Sequence, residues 1–322
     1  MTTSPAARGF EHTAVCHRSS AELVDALVPF VAAGLGDGDR VFVNLVPAGS
    51  APLRAALGSD AARVRWTDSS TWQAHPARRL RAIHELVEVE AGAGRMRFVG
   101  QCPFDAGDPE LVTEWERFDA VLNRALAGVP VDMVCAYDAA ALAPDVVGRA
   151  PLTHPRLGPL GGGGGEGANT AYLEPEEYLA QHRVALPPVP PGAARVRGRV
   201  KPAEARALVR AFIRPDAALP RARVEDLVVA ASEIVTNAWN VGASAIDVAC
   251  WHAAGEIGLQ VDDDGPGVDD PLLGYRRPDE GAPGGRGLWI VRQLADLVQI
   301  ERTGHRTSVR VRIRDGSRPA SS

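Results

Sequence analysis

Three short stretches in the last third of the chain carry residue types that could do chemistry. Ser232-Glu233-Ile234-Val235-Thr236-Asn237-Ala238 sets Glu233 and Asn237 four positions apart, on one face of a helix. An asparagine amide oxygen suits Mg²⁺, which keeps several waters and takes its other ligands from carbonyl, carboxylate and phosphate oxygens. A glutamate one turn away can accept a proton from an attacking hydroxyl or water. Asp262-Asp263-Asp264-Gly265-Pro266-Gly267 ends a strand and contains the D-x-G-x-G pattern of Asp263, Gly265 and Gly267. A carboxylate there is an acceptor for an exocyclic amine such as that of adenine, and the glycines let backbone approach a ligand closely. Gly284-Gly285-Arg286-Gly287-Leu288 opens a helix, and such a start offers unpaired N–H groups and a positive dipole end to phosphates. Each stretch alone has an ordinary reading as a solvated helix pair, a turn or a helix cap. All three in this order, each on a suitable element, make coincidence the weaker reading.

The elements that must position them follow from periodicity. Residues 195–200 alternate as a half-exposed strand does. Helices are expected over 203–213 and from 221 to about 239, strands over 245–251 and 256–262, and a loop over 263–285. A helix over 287–297 and a strand pair, 298–302 and 307–314, end the series. Strands in one layer and helices in the other predict a two-layer α/β sandwich with a mixed sheet. The first half alternates instead. Strands at 13–16, 40–46, 63–66, 95–100 and 131–137 are separated by helices over 21–33, 53–57, 77–91 and 110–127. That order predicts a three-layer α/β domain with a mostly parallel sheet. Between the halves, the five glycines within 159–167 read as flexible linker, followed by a short helix at 174–181 and a proline cluster at 187–191. The expected division is 9–158, a linker over 159–191, 192–315, and a disordered tail over 316–322.

Composition narrows the function. The 322 residues carry 35 basic and 40 acidic side chains, a net charge of −5, which argues against bulk attraction to nucleic acid or anionic lipid. Every apolar run is too short to span a bilayer, and the N-terminus has no apolar signal core. The four cysteines lie far apart with no C-x-x-C pair, as in a reduced cytoplasmic protein. Lys201 is the only lysine, and it follows no glycine loop. A P-loop is thereby excluded, as is a conventional protein kinase, whose H-R-D and D-F-G motifs are also absent.

On these motifs the segment 195–314 resembles the Bergerat-fold ATP-binding domain of the gyrase/Hsp90/histidine-kinase/MutL superfamily. Within that superfamily it looks like the compact anti-sigma-factor serine kinase type, because the loop between the second and third motifs is short. The strand–helix order of the first half, Leu27–Asp39, Cys135–Leu142, His12-Thr13 and Thr153-His154-Pro155 resemble the MEDS sensory domain over 11–155, and that second resemblance implies a RecA-like fold. The resemblance implies ATP and Mg²⁺ as cofactors. It implies Glu233 as catalytic base, Asn237 as Mg²⁺ ligand and Asp263 as the adenine-reading carboxylate. Gly265 and Gly267 would shape the pocket floor, and Gly284, Gly285, Arg286, Gly287 and Leu288 would wrap the phosphates under a lid over 268–284. Asn240-Val241 depart from the basic or histidine residue and glycine that often follow the first motif. The implied partners are a sigma factor and a Ser/Thr-bearing, STAS-type antagonist, with a small-molecule signal at the input domain, a homodimer, and neither direct nucleic-acid nor membrane contact.

Particular residues bear on two other functions and on two other sites. A non-catalytic ATP-binding interaction module keeps the same motifs without transfer. A sensor histidine kinase would use His182, which has the His-x4-Pro spacing to Pro187. Arg183 stands where that box needs an acid, and the prolines at 187, 188, 190 and 191 forbid the long hairpin helix. His12, Cys16, His17 and Cys102 offer a metal or redox site, against the plainer reading of a buried thiol with surface histidines. The alternating arginines at 195–199 and 310–314 read as a solvated sheet face, or else a docking face for an acidic partner.

Overall fold

The computed structural model describes residues 9–72, 75–90, 94–104, 107–158, 169–213, 219–253, 255–267, 270, 272–275 and 286–314. The five-glycine stretch and the 316–322 tail lie outside them. The chain divides into two units, Met1–Gln181 and His182–Ser322.

The first unit is built on strands β1 (Glu11–His17), β2 (Arg40–Leu45), β3 (Arg65–Asp68), β4 (Met96–Gly100), β5 (Val131–Asp138) and β6 (Arg156–Leu157), in the order β3-β2-β4-β5-β1-β6. Every pairing is parallel, as the strand–helix alternation predicts. Helices α1 (Ser20–Asp37), α2 (Pro47–Leu57), α3 (Pro76–Glu90), α4 (Pro109–Ala125) and α5 (Pro144–Thr153) connect the strands. Ser19 caps α1 by accepting the Glu22 N–H, and Asp108 caps α4 by accepting that of Leu111; each cap satisfies a donor that the first turn leaves open. Alternation along the strands sorts the two faces. Val41, Val43, Leu45, Val99 and Val134 join Leu23, Leu27, Val31 and Leu53 of α1 and α2 in one core. Phe42 and Phe98 stack on the other face.

That second face also carries a buried polar group from separate elements. Asp119 and Asn123 of α4, one turn apart, meet His12 of β1 and Cys135 and Tyr137 of β5. Burial pushes the Asp119 carboxyl up to about 7 and His154 down to about 4, and raises the Cys135 and Tyr137 groups well above their ordinary values. The short helix expected in the linker, α6 (Pro175–Gln181), belongs to this unit. It packs on α4, with Tyr178 fully buried and Glu176 paired to Arg124 at 2.9 Å.

The second unit contains β7 (Ala194–Gly198), α7 (Pro202–Phe212), α8 (Arg221–Asn240), β8 (Ile246–Ala253), β9 (Glu256–Asp263), α9 (Arg286–Leu294), β10 (Leu297–Thr303) and β11 (Arg306–Arg314). The strand order is β10-β11-β9-β8-β7. The two-layer α/β sandwich is as expected, but each pairing is antiparallel rather than mixed. The reason is positional: β10 runs parallel to β9, but β11 folds back between them. Gly255 and Gly304, with φ of 82° and 62°, make the hairpin turns in a conformation that other residues adopt at a cost. Leu227, Ala231, Ile234 and Ala238 of α8 pack on Val248, Leu259, Val261 and Val311 of the sheet. Arg223 near the start of α8 donates to the Leu294 carbonyl at the end of α9 and to Asp296, at 2.7 and 2.8 Å.

The arginine stripe on the other sheet face is neither free nor uniformly solvated. Arg310 is buried, bonded to Gln260 and to the Pro187 carbonyl, and stacked over Trp251. Arg195 and Arg197 share Asp247, and Arg312 pairs with Glu256. Several of these outward-reading arginines are thus paired to acids on the neighbouring strands, so part of the stripe's charge is neutralised within the sheet. Trp251 lies flat on Gly258, where an added Cβ would come within 2.2 Å of the indole. Gly258→Val is therefore expected to destabilise the second unit by about 1–3 kcal/mol, the usual cost of overpacking. Thermal denaturation of the full chain would show a lowered melting transition; an unchanged one would mean the indole can move aside.

Candidate functional site

Helix α8 supplies the first pair. Its core stripe runs through Leu227, Ala231, Ile234 and Ala238, so Glu233 and Asn237 sit beside that stripe, half-buried at its edge. Helix α9 supplies the second part, and the two meet at one point. A Cβ on Gly287 would lie 2.7 Å from Oε2 of Glu233 and 3.1 Å from Oδ1 of Asn237. Only a residue without a side chain lets the first turn of α9 approach this closely, so its unpaired N–H groups lie next to a carboxylate and an amide oxygen.

Strand β9 delivers the third part. Asp263 is buried at its end, with Oδ1 accepting the Gly265 N–H at 2.9 Å. Its other oxygen has no hydrogen-bond partner among the described residues. Burial raises the Asp263 pKa, and the charges of Asp264 and Asp262 push the same way against the Gly265 N–H. The adjacent Asp264 has a different task. Its carboxylate accepts the N–H groups of Ser244 and Ala245 and the Ser244 hydroxyl, at 2.6–2.8 Å. Those bonds tie the end of β9 to the turn after α8 and hold the loop that follows Asp263. Gly265 fits against Val241, whose Cγ2 would be 2.8 Å from an added Cβ. Val241 at the departure noted in the sequence is thus a wall of this loop.

Gly267 is required twice over. Its φ is 65°, and a Cβ would lie 2.7 Å from Oγ1 of Thr307 and 2.9 Å from Nε of Arg302. Arg302 also donates to the Pro266 carbonyl at 2.7 Å. Thr307 and Arg302 escape the motif reading. Thr307 sits opposite Asp263 in the β9–β11 register, and its buried hydroxyl oxygen lacks a partner. The signal for it was present: in the inward series Thr307, Val309, Val311, Ile313, it is the one polar residue.

The structure therefore brings Glu233, Asn237 and Gly287 together, and separately Asp263, Gly265, Gly267 and Thr307. Arg286 is exposed at the start of α9. The Leu288 side chain is a core residue, packed under Gly274, so its contribution to a ligand is limited to backbone. Gly284, Gly285 and most of the proposed lid lie outside the described residues. Of the lid, Tyr275 stacks on Arg292 of α9, the guanidinium 3.8 Å from the ring centre. His182 follows the seven-residue α6 and precedes a non-helical stretch, not a hairpin helix. His12 and His17 are buried rather than on the surface, and Cys102 bonds to Asp119 while Cys16 stands apart.

Residues 198–313 match the family of histidine kinase-like ATPase domains. Residues 11–155 match MEDS, the methanogen/methylotroph, DcmR sensory domain. No curated protein matches the chain. The chain thus carries a MEDS sensory domain followed by a histidine kinase-like ATPase domain, and an ATPase domain implies ATP binding. Among the described residues no helix is long and apolar enough to cross a membrane.

Two variants test this geometry. Gly287→Ala puts a methyl against Glu233 and Asn237, and ATP affinity should fall at least tenfold, about 1.4 kcal/mol, in calorimetric titration. Asp263→Asn should lower affinity by a similar factor while raising the melting temperature of the nucleotide-free protein at neutral pH. The sign follows from linkage: a carboxyl whose folded pKa is raised stabilises below its unfolded value and loses that contribution as pH rises through the folded one. Asparagine keeps the acceptor for Gly265 and drops the buried charge. A variant that melts lower would show that the charge is compensated.

Proposed function

We propose that this chain, a MEDS sensory domain joined to a histidine kinase-like ATPase domain, is an anti-sigma regulatory factor. In this reading it phosphorylates a serine or threonine of an anti-sigma-factor antagonist under control of its sensory domain. The observation that supports the reading is the convergence of Glu233 and Asn237 on Gly287, an arrangement in which Glu233 would accept a proton and Asn237 would ligate a metal beside a helix start that would bind phosphate.

The residues present fit Mg·ATP. Among the described residues, one oxygen of Asp263 has no partner and neither has the Thr307 hydroxyl opposite it, which fits an amine-reading corner. Gly287 and Gly267 leave cradles that a Cβ would fill. Asn237 would hold Mg²⁺ through its amide oxygen, and the Arg286–Leu288 N–H groups would face phosphate oxygens. When bound, Mg·ATP supplies the γ-phosphoryl group and neutralises the charge on its oxygens. Glu233 takes the proton of the partner's hydroxyl as that oxygen forms its bond to phosphorus and ADP leaves. Catalysis is then mostly positioning, as phosphoryl transfer generally demands. Unphosphorylated antagonist would compete with a sigma factor for this protein.

Glu233→Ala separates transfer from binding. Phosphorylation of a Ser/Thr-bearing antagonist, followed with labelled ATP, should fall by about 10²–10⁴-fold, the usual contribution of a positioned base. ATP and sigma-factor binding should be retained. Wild-type protein that binds ATP and sigma factor yet labels no antagonist would instead be a non-catalytic interaction module.

A further inference from the structure

The buried polar group in the first unit holds more hydrogen-bond acceptors than donors. His154 Nδ1 lies 2.8 Å from the Ala150 carbonyl, which can only accept, so Nδ1 carries the proton and Nε2 is a bare lone pair. Asn123 Nδ2 donates to the Thr153 carbonyl at 2.7 Å. Its Oδ1 is therefore the atom 3.0 Å from His12 Nδ1, so His12 is also protonated on Nδ1 and bare on Nε2. The His12 lone pair faces Cys135, whose S–H can serve it at 3.2 Å. His154 Nε2, on a residue with no exposure, has no partner among the described residues. An orphaned buried acceptor is costly, and an electron-pair acceptor at the centre would remove that cost.

We propose that His12, Asp119, Cys135 and His154 form a binding site for a divalent transition-metal ion of the zinc class. One ligand atom from each lies within 4.8 Å of the others. A tetrahedral zinc site has ligand–ligand edges of about 3.3–3.8 Å, so a contraction of about an ångström closes it. Nitrogen and sulfur donors select zinc-like cations over Mg²⁺ or Ca²⁺. The thiolate and carboxylate together carry two negative charges, matching the ion. The Ala150 carbonyl and Asn123 are outer partners that fix each imidazole's tautomer, the arrangement seen around metal-bound histidines. Arg79 faces the cluster, held by the carbonyls of Ser69, Trp72 and Gln101. Cys102 and Tyr137 bond to Asp119, and Glu116 acts on it through its charge. With four protein ligands the site is closed, which suits structure or sensing rather than catalysis. The parallel sheet makes the constellation: β1 and β5 are neighbours, although His12 and Cys135 are more than a hundred residues apart.

The test uses full-length protein, stripped with a chelator and titrated with Co²⁺, then Zn²⁺. One equivalent of Co²⁺ should bind, with thiolate-to-cobalt charge transfer and the visible bands of tetrahedral cobalt, and Zn²⁺ should bleach both. His154→Gln and Cys135→Ser should weaken Zn²⁺ binding by more than about 100-fold, and Asn123→Ala by about 10–100-fold. Cys16→Ser should leave it unchanged. The cobalt spectrum needs only wild type, so a variant that fails to fold does not shield the proposal. Folded wild-type protein without that spectrum would overturn it, leaving a hydrogen-bonded core or a trapped water. So would binding that His154→Gln and Cys135→Ser leave intact.

Discussion

The ATPase unit depends on how closely two helices can approach. Glu233 and Asn237 project from the edge of the α8 core stripe, and α9 meets them at Gly287 with no side chain between. Any other residue at 287 would push α9 away and separate the N–H groups of its first turn from the carboxylate and amide. The remaining elements maintain that approach. The sheet fixes α8 through its apolar stripe, Leu288 anchors α9 in the same core, and Asp264 ties the end of β9 to the turn after α8.

The two units use one device for different ends. Each sets polar residues one turn apart on a helix that covers a sheet: Asp119 and Asn123 on α4, Glu233 and Asn237 on α8. On α8 the pair lies at the rim of the stripe and remains half-buried. On α4 the pair points into the sheet, where Asp119 has no exposure and every partner is protein. Burial depth separates two forms of the same spacing, a half-buried pair and a closed cluster.

Much of this was legible in the sequence, for separable reasons. Helix periodicity and strand alternation are local, so the parallel sheet and the two-layer sandwich could be read directly. The Glu233–Asn237 pair, Asp263 and its glycines lie within short motifs and could be read too. What escaped depends on contacts between distant segments. Thr307 matters because register places it opposite Asp263. The all-antiparallel sheet depends on β11 inserting between β9 and β10, which no strand states by itself. The metal-type cluster joins residues 12, 119, 135 and 154. Sequence proximity pointed instead to Cys16 and His17, which stand next to His12 in the chain but not in the cluster. The pairing within the arginine stripe escaped because alternation reports which face a residue takes, not which acids lie across it.

Arg223 holds the far end of α9 through the Leu294 carbonyl and Asp296, while Gly287 lies near the helix's other end. Between these ends α9 runs nine residues at about 1.5 Å per residue, an arm of about 13 Å, with Leu288 and Val291 buried in the core along the way. A tilt of about 5° at the clamp moves the first turn by about 1 Å, a displacement that can cost a site about 10²-fold in rate. The guanidinium joint at one end and the buried Leu288 near the other thereby share in setting how closely the first turn of the helix is held against Glu233 and Asn237.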